Sequence, residues 1–479
     1  MLQATSRLFQ PACLFSFIIV NMVCDSTVIL KLLTVMKDLL KSIFNKFQSH
    51  IVEICHDKTL RDKYVECDDA SKRAGLFTRK RVWTFGVLVQ AILSCFKRTL
   101  AVDVTGFLER QKLPPTTPEA YIKRRGYISA ELFRDLNSSL LSTAYGAGFL
   151  QTWQGHKYLF GIDGSRLSLP YTPELYKKYR QRRDKGHNLA RGVFISDLVN
   201  RVMASADLMP NKTEERKAAI NLLTFFEFPI DLKRAIFVMD RGYPSLFLMN
   251  WFHSHTGGFI IRARRDTSPQ IAGFMDSDSM EATVELRLSR NRRDISYRRP
   301  APLTVRLVKR PRLKGERRNA EPVVFITDLD PSVFPAGKII EAYSLRWNIE
   351  TEIGTSKNEL QIEIVSGNRE ICVRQDFFAT IILYNMESLI RLPLNKKLAT
   401  EKNKHTYRVD MNCTWALMTV LVGKLIGPPS TFDSELTLCV KFFLKVLSIH
   451  RPGRSSPRIK RIIKASGKYM PLTNYKRGW

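Results

Sequence analysis

The sequence predicts an α/β protein: a mixed sheet flanked by helices, with an all-helical N-terminal region and a β-rich break late in the sheet region. Three observations carry this. Between Lys157 and Arg264 the patterning runs β-β-β-α-β-α-β. The continuous apolar run Ala235–Met239 (AIFVM) lies between two helical stretches, as a central strand covered on both faces does. From Ser26 to Leu150, by contrast, apolar residues recur at helical spacing only.

The chain has 479 residues, 44% of them apolar, which excludes wholesale disorder and allows several domains. Its 76 Lys and Arg against 45 Asp and Glu give a formal charge of +31, which points to a polyanionic partner, nucleic acid before an anionic membrane surface. The eight cysteines are scattered and form no CxxC pair, so a zinc ribbon is not expected and the thiols read as reduced. No apolar run reaches the roughly 18–20 residues that span a bilayer, and no membrane partner is expected. Cys13–Val23 resembles the core of a signal peptide but lacks a clean cleavage site. Residues 1–35 are therefore read as an N-terminal extension of uncertain standing, with a working start near Met22 or Met36.

Residues 36–150 form the expected helical, DNA-binding region. Leu30, Leu33, Met36, Leu40, Ile43, Phe44 and Phe47 make one stripe. Val82–Phe96 reads as a buried helix behind the basic cluster Arg79–Arg81. Thr116–Glu119 gives a Thr cap and a first-turn Pro, starting a helix pair broken at Gly126. That pair carries Lys123, Arg124 and Arg125, consistent with DNA contact or with a plain bundle.

In the sheet region, Lys157–Asp163 is the first strand. Gly192–Leu198 and Arg201–Leu208 read as a hairpin. Thr213–Phe226 is a helix, Ala235–Met239 a strand, Ser245–His255 a helix and Gly258–Arg264 a strand. Residues 266–337 alternate without helical periodicity and read as a β-rich insertion between the core segments 151–265 and 338–395. Residues 396–479 form a helical C-terminal region whose tail, Arg451–Trp479, has nine Lys or Arg and no acid. Lys177–Lys185 is a further basic run, expected to contact the DNA backbone.

Two acids stand out at strand ends, where open α/β sheets bind ligands. Asp163 ends the first strand before a Gly164–Ser165 turn, and Asp240 ends AIFVM before Arg241–Gly242–Tyr243. In Glu341–Leu360, Tyr343, Arg346, Glu350 and Lys357 are spaced three, four and seven apart, which keeps all four on one helical face. An ordinary salt-bridge face would explain the charges but not Tyr343 and Trp347 beside them. His253 and His255 have no further ligands nearby, and a helix end explains them. No Gly-rich phosphate loop is present.

With FGIDGSRLSLP, VMDRGY and the Tyr-x2-Arg-x3-Glu-x6-Lys run of Tyr343–Lys357, the sequence resembles the DDE transposases of bacterial insertion sequences, of the IS-four type. The similarity runs over roughly residues 75–479 and includes the closing RPGR…YKRGW. The resemblance implies an RNase H-like catalytic core with a β-rich insertion between the second acid and the Glu. It implies that Asp163, Asp240 and Glu350 bind Mg²⁺ or Mn²⁺, two ions in all. It also implies that Tyr343, Arg346 and Lys357 grip terminal phosphates, and that Arg241 and Tyr243 support the second acid and the DNA. The implied partners are double-stranded DNA, as terminal inverted repeats and target, and a second copy in a homodimeric complex. The implied place is the bacterial cytoplasm, at the nucleoid. Residues 266–337 lack the tryptophan that stacks on a flipped base in some relatives, which puts a hairpin route of excision in doubt. Gly354 lies inside the Glu helix, at a cost of about 1 kcal/mol relative to Ala. The alternative reading is a catalytically silent DNA-binding protein derived from a transposase.

Overall fold

The computed structural model describes residues 26–450 except 79–80, 156, 180–187, 288–299, 314, 317–319 and 401–404. The basic tail, the Arg79–Lys80 pair and most of the Lys177–Lys185 run therefore lie outside the described residues. Contacts divide the chain into a helical unit (Met1–Thr143, Ser168–Leu189 and Ser356–Trp479) and an α/β unit (Ala144–Leu167 and Ala190–Thr355).

In the helical unit the long first helix, Ser26–His56, buries Leu40, Ile43, Phe44 and Phe47 of its predicted stripe. Thr84 caps the Phe85–Leu93 helix by accepting from Val87 N at 3.3 Å. Thr117 caps Pro118–Arg125 by accepting from Ala120 N at 3.2 Å. Arg125 is fully buried: its guanidinium donates to Asp376 Oδ1 at 2.8 Å, Gln375 Oε1 at 2.7 Å and Ser366 Oγ. The Glu370–Thr400 helix is long and apolar enough to cross a bilayer, yet 83% of its apolar window is buried within the protein, so it is a core helix. Sequence patterning assigned 338–395 to the sheet region. Contacts group the chain from Ser356 onward with the N-terminal helices.

The α/β unit is built on one eight-stranded sheet. Its strands are β1 (Tyr158–Ser168), β2 (Leu189–Asp197), β3 (Val202–Pro210), β4 (Ala235–Met239), β5 (Phe259–Arg262), β6 (Glu281–Leu286), β7 (Leu303–Lys309) and β8 (Val324–Thr327), in the order β3-β2-β1-β4-β5-β8-β7-β6. β1, β4 and β5 are parallel, and β2–β3 is an antiparallel hairpin with an irregularity at Ile195/Ser196. These five strands make an RNase H-like core in which every residue of β4 is buried, as AIFVM requires.

Residues 266–337 differ from expectation in two ways. They open with a helix, Pro269–Asp276, capped by Ser268. Their three strands also extend the core sheet through the antiparallel β5–β8 pair instead of standing apart.

Candidate active site

Asp163 lies within β1, not at its end. The strand is buried through Ile162, half-buried from Asp163, and continues to Ser168. What ends at this level is the parallel neighbour. The register pairs Tyr158 with Ala235 and Gly161 with Val238, so two residues further on Asp163 stands across from Asp240, just past the end of β4. Adjacent strands lie about 4.8 Å apart, which brings the two acids to one edge of the sheet. Asp163 Oδ1 accepts from Gly164 N at 2.8 Å, and Asp240 Oδ1 accepts from Gly242 N at 2.6 Å.

The third acid arrives on a helix. The expected single helix over 341–360 is two, Ala336–Leu345 and Trp347–Asn358, interrupted at Arg346. The backbone there tightens to i→i−3 bonds, Arg346 N to Tyr343 O and Ile349 N to Arg346 O, both 3.1 Å. The second helix rests on β1 at Gly161: a Cβ there would lie 3.3 Å from Ile349 Cγ2 and 2.7 Å from Leu198 Cδ2. Asn348 Nδ2 donates to Leu198 O at 2.8 Å and fixes the same seat.

The predicted stripe survives the interruption. Arg346 Nη2 donates to Glu350 Oε1 at 2.6 Å, and the Arg346 guanidinium lies 5.7 Å from the Tyr343 ring centroid. Tyr343 packs on Phe325 with centroids 4.4 Å apart. Burial pushes the Tyr343 hydroxyl up, opposed by Arg346. Burial also works against the Arg346 charge, but the Glu350 hydrogen bond together with the charges of Tyr343, Glu350 and Asp163 holds the guanidinium above its ordinary value.

Glu352, the other acid on this helix, has a different place. It is 1% exposed, accepts from Ser196 Oγ, and pairs with Arg201 Nε at 2.8 Å. That is a buried structural anchor, whereas Glu350 remains open to solvent at the sheet edge.

The Asp163 carboxyl is pushed up to about 7, chiefly by burial. Glu350 and Asp240 add to the rise, while the Gly164 N–H and Arg346 oppose it. Three carboxylates within electrostatic reach of one another form a donor set of hard oxygens suited to Mg²⁺ or Mn²⁺. One oxygen of each is engaged. Asp163 Oδ2, Asp240 Oδ2 and Glu350 Oε2 make no hydrogen bond among the described residues. Among the described residues no three His, Cys, Asp or Glu side chains stand close enough to form a ready-made ion cage. The set fits an ion that completes its shell with water and substrate phosphate.

The remaining predicted residues separate. Arg241 is exposed and lines a cleft with Arg264, Arg265, Asp266 and Glu321. Tyr243 was expected at the DNA, but it is 1% exposed, and its hydroxyl is buried with no hydrogen-bond partner among the described residues. Its backbone N–H donates to Asp240 O at 3.2 Å, so it braces the second acid from beneath. Lys357 ends the Glu350 helix within the helical unit, where burial lowers its ammonium pKa and Glu363 opposes the effect. Of the three basic residues proposed for a DNA-binding helix pair, Arg125 is corrected to a core residue. Arg124 lies 4.6 Å from the Phe77 ring centroid, and Lys123 is exposed. His253 bonds Asp328 Oδ2 at 2.9 Å and His255 bonds Trp251 O at 2.8 Å, as helix-end histidines do.

Sequence reasoning did not anticipate the ion pair of Glu215 and Arg191 against Gly164. The Glu215 carboxylate occupies the space beside Gly164, and Arg191 Nη1 donates to it. The available signal was Gly164 itself: a glycine within a strand marks close approach by another group as readily as a turn.

Residues 154–386 match the family model described as the transposase DDE domain. Among solved structures, one similar chain is a piggyBac transposase in a synaptic complex with hairpin DNA, at 10% identity. It covers 86% of this chain and 88% of that one, with a TM-score of 0.41. No curated protein matches.

Proposed function

We propose, from the match of residues 154–386 to the transposase DDE domain model, that the chain cleaves DNA at the ends of an IS-four type insertion sequence and joins the freed ends to target DNA. The observation that carries this reading is the β1–β4 register, which sets Asp163 opposite Asp240 beside the helix that presents Glu350. The net charge of +31 supports DNA as the partner, as terminal inverted repeats and as target.

In this reading the acids hold divalent ions, Mg²⁺ or Mn²⁺, two in all. When bound, these would supply charge stabilisation to the attacking and leaving oxygens of an in-line displacement. The chain's own residues set the geometry. Ile349 over Gly161 fixes the height of the Glu350 helix. Arg346 holds Glu350 Oε1 and keeps further N–H groups for a phosphate oxygen. Tyr343 lies along the same guanidinium. Water attacks the phosphorus at the element's end, and the 3′-oxygen leaves as a hydroxyl. That hydroxyl then attacks a target phosphorus, the target strand's own 3′-oxygen leaves as a hydroxyl, and no covalent enzyme intermediate forms. The active species is a homodimer on DNA at the bacterial nucleoid.

The test compares end-specific DNA retention with Mg²⁺-dependent strand cleavage. Asp163→Asn, Asp240→Asn and Glu350→Gln are expected to retain DNA with cleavage near background, because the three act as one site. Arg346→Ala is expected to weaken both. Parent-like cleavage by Glu350→Gln would overturn the assignment.

A further inference from the structure

Arg262 ends β5 and takes no part in the mechanism above. Strand register fixes where it stands. Arg262 pairs directly with Phe325 of β8, and cross-strand partners point to the same face of a sheet. Phe325 carries the Tyr343 ring, with centroids 4.4 Å apart, so this is the face on which the Tyr343 helix lies. Asp163 faces the same way. It is two residues from Gly161, where Ile349 of the Glu350 helix rests, and side chains along a strand alternate with period two. Extending the β4–β5 register by one residue beyond Met239 and Ile261 sets Arg262 across from Asp240. Asp163, Asp240 and Arg262 therefore stand in one row across three neighbouring strands, two acids and then a cation.

The cation is open. Arg262 is half-buried and makes no hydrogen bond or ion pair among the described residues. Its neighbours are engaged. Arg306, on the same face of β7, donates to Glu281 Oε2 at 2.8 Å and to Phe334 O at 2.6 Å. Arg264 and Arg265, next along the chain, hold Asp266 at 2.9 Å and Asp276 at 2.7 Å. A guanidinium presents five N–H donors in a planar fork that matches a phosphate, and a half-buried one without a counter-ion favours an anion beside it. Adjacent strands lie about 4.8 Å apart, so the Cα of Arg262 stands about 10 Å from that of Asp163. Successive phosphates of one DNA strand advance about 3.4 Å along the duplex axis. With the reacting phosphate over the acids, Arg262 meets a phosphate one or two nucleotides along.

We propose that Arg262 is a DNA-binding residue of the site, whose fork holds the backbone phosphate one or two nucleotides from the one that reacts and so sets the strand's course across β4 and β5. This rests on the DNA-cleavage reading above.

The experiment uses DNA carrying the element's ends with a single methylphosphonate, uncharged but similar in shape, at the first or second phosphate on either side of the scissile one. End-specific retention and single-turnover cleavage are measured for the full chain, Arg262→Gln and Arg262→Lys, with thermal unfolding of each. A charge-assisted contact of this kind is worth about 10–100-fold in affinity. With the parent chain, one of the substituted DNAs is expected to lose retention by about that factor. Arg262→Gln should lose as much on unmodified DNA and nothing further on that substituted one, because the two changes remove the same contact. Arg262→Lys keeps the charge without the fork and should fall between, and it carries the test should Arg262→Gln unfold. A purely structural role predicts a lower melting temperature with the parent's full sensitivity to each methylphosphonate. That sensitivity, parent-like retention by Arg262→Gln, or a parent indifferent to every substitution overturns the proposal. If the parent still cleaves the ends in such a case, the triad reading stands and Arg262 alone is misassigned. If the parent neither retains nor cleaves them, both readings fall.

Discussion

Gly161→Ala tests the seat on which the third acid depends. The added Cβ would stand 2.7 Å from Leu198 Cδ2 and 3.3 Å from Ile349 Cγ2. Carbon atoms in contact prefer about 3.5–4.0 Å, so the shortfall is about 1 Å on one side and a few tenths of an ångström on the other. Leu198 is 1% exposed and Ile349 0%, so neither can swing into solvent to make room. Overpacking of this kind costs about 1–3 kcal/mol, roughly 2–4 °C of melting temperature per kcal/mol for a unit of this size. The side chain that must yield precedes Glu350 by one residue. Since a misplacement of about 1 Å can cost 10²-fold in rate, a shift of part of that should lower cleavage by about tenfold while DNA retention holds. Gly354→Ala is the matched control. It lies on the same helix, a Cβ there meets nothing within 4 Å, and it should stabilise by about 0.5–1 kcal/mol with cleavage unchanged. Melting curves and single-turnover cleavage on the two variants decide the matter. If Gly161→Ala melts and cleaves like the parent, the helix does not rest on β1 at this point.

Glu352→Gln should lower the melting temperature by the equivalent of about 3 kcal/mol, the low end for breaking a buried pair, because Arg201 is partly exposed. A variant that kept its stability but lost cleavage would transfer the catalytic role from Glu350 to Glu352. Arg125→Met removes the partner of buried Asp376 and should cost about 3–5 kcal/mol in thermal unfolding, and an unchanged midpoint would contradict the buried pair. Burial raises the Asp197 carboxyl from 3.8 to about 6, so below the lower value its contribution to stability is fully present, and it is lost as pH rises to about 6. The loss amounts to about 3 kcal/mol on a two-unit shift. The unfolding midpoint of the parent should therefore fall more steeply across that window than that of Asp197→Asn, and parallel profiles would refute the assignment.

Much of this was legible in one dimension. AIFVM announced a central strand, Thr84 and Thr117 announced their helices, and the spacing of Tyr343, Arg346 and Glu350 announced a shared face. The misses share a cause: they depend on what lies across space. Gly164–Ser165 reads as a turn, yet the strand continues and Gly164 makes room for Glu215. Alternation in 266–337 gave strands but could not say which sheet they join. Arg125 looked like a phosphate contact because nothing nearby in sequence reveals Asp376, 251 residues away. Tyr243 looked available because its burial leaves no mark on its neighbours in sequence.

The interruption at Arg346 makes the region modular. A continuous helix would couple every change of tilt at Tyr343 to an equal movement of Glu350. With the backbone interrupted at Arg346, each segment has its own seat: Tyr343 is set by its packing on Phe325 and Glu350 by Ile349 over Gly161. A change of packing on either side of Arg346 can then be absorbed without an equal shift on the other.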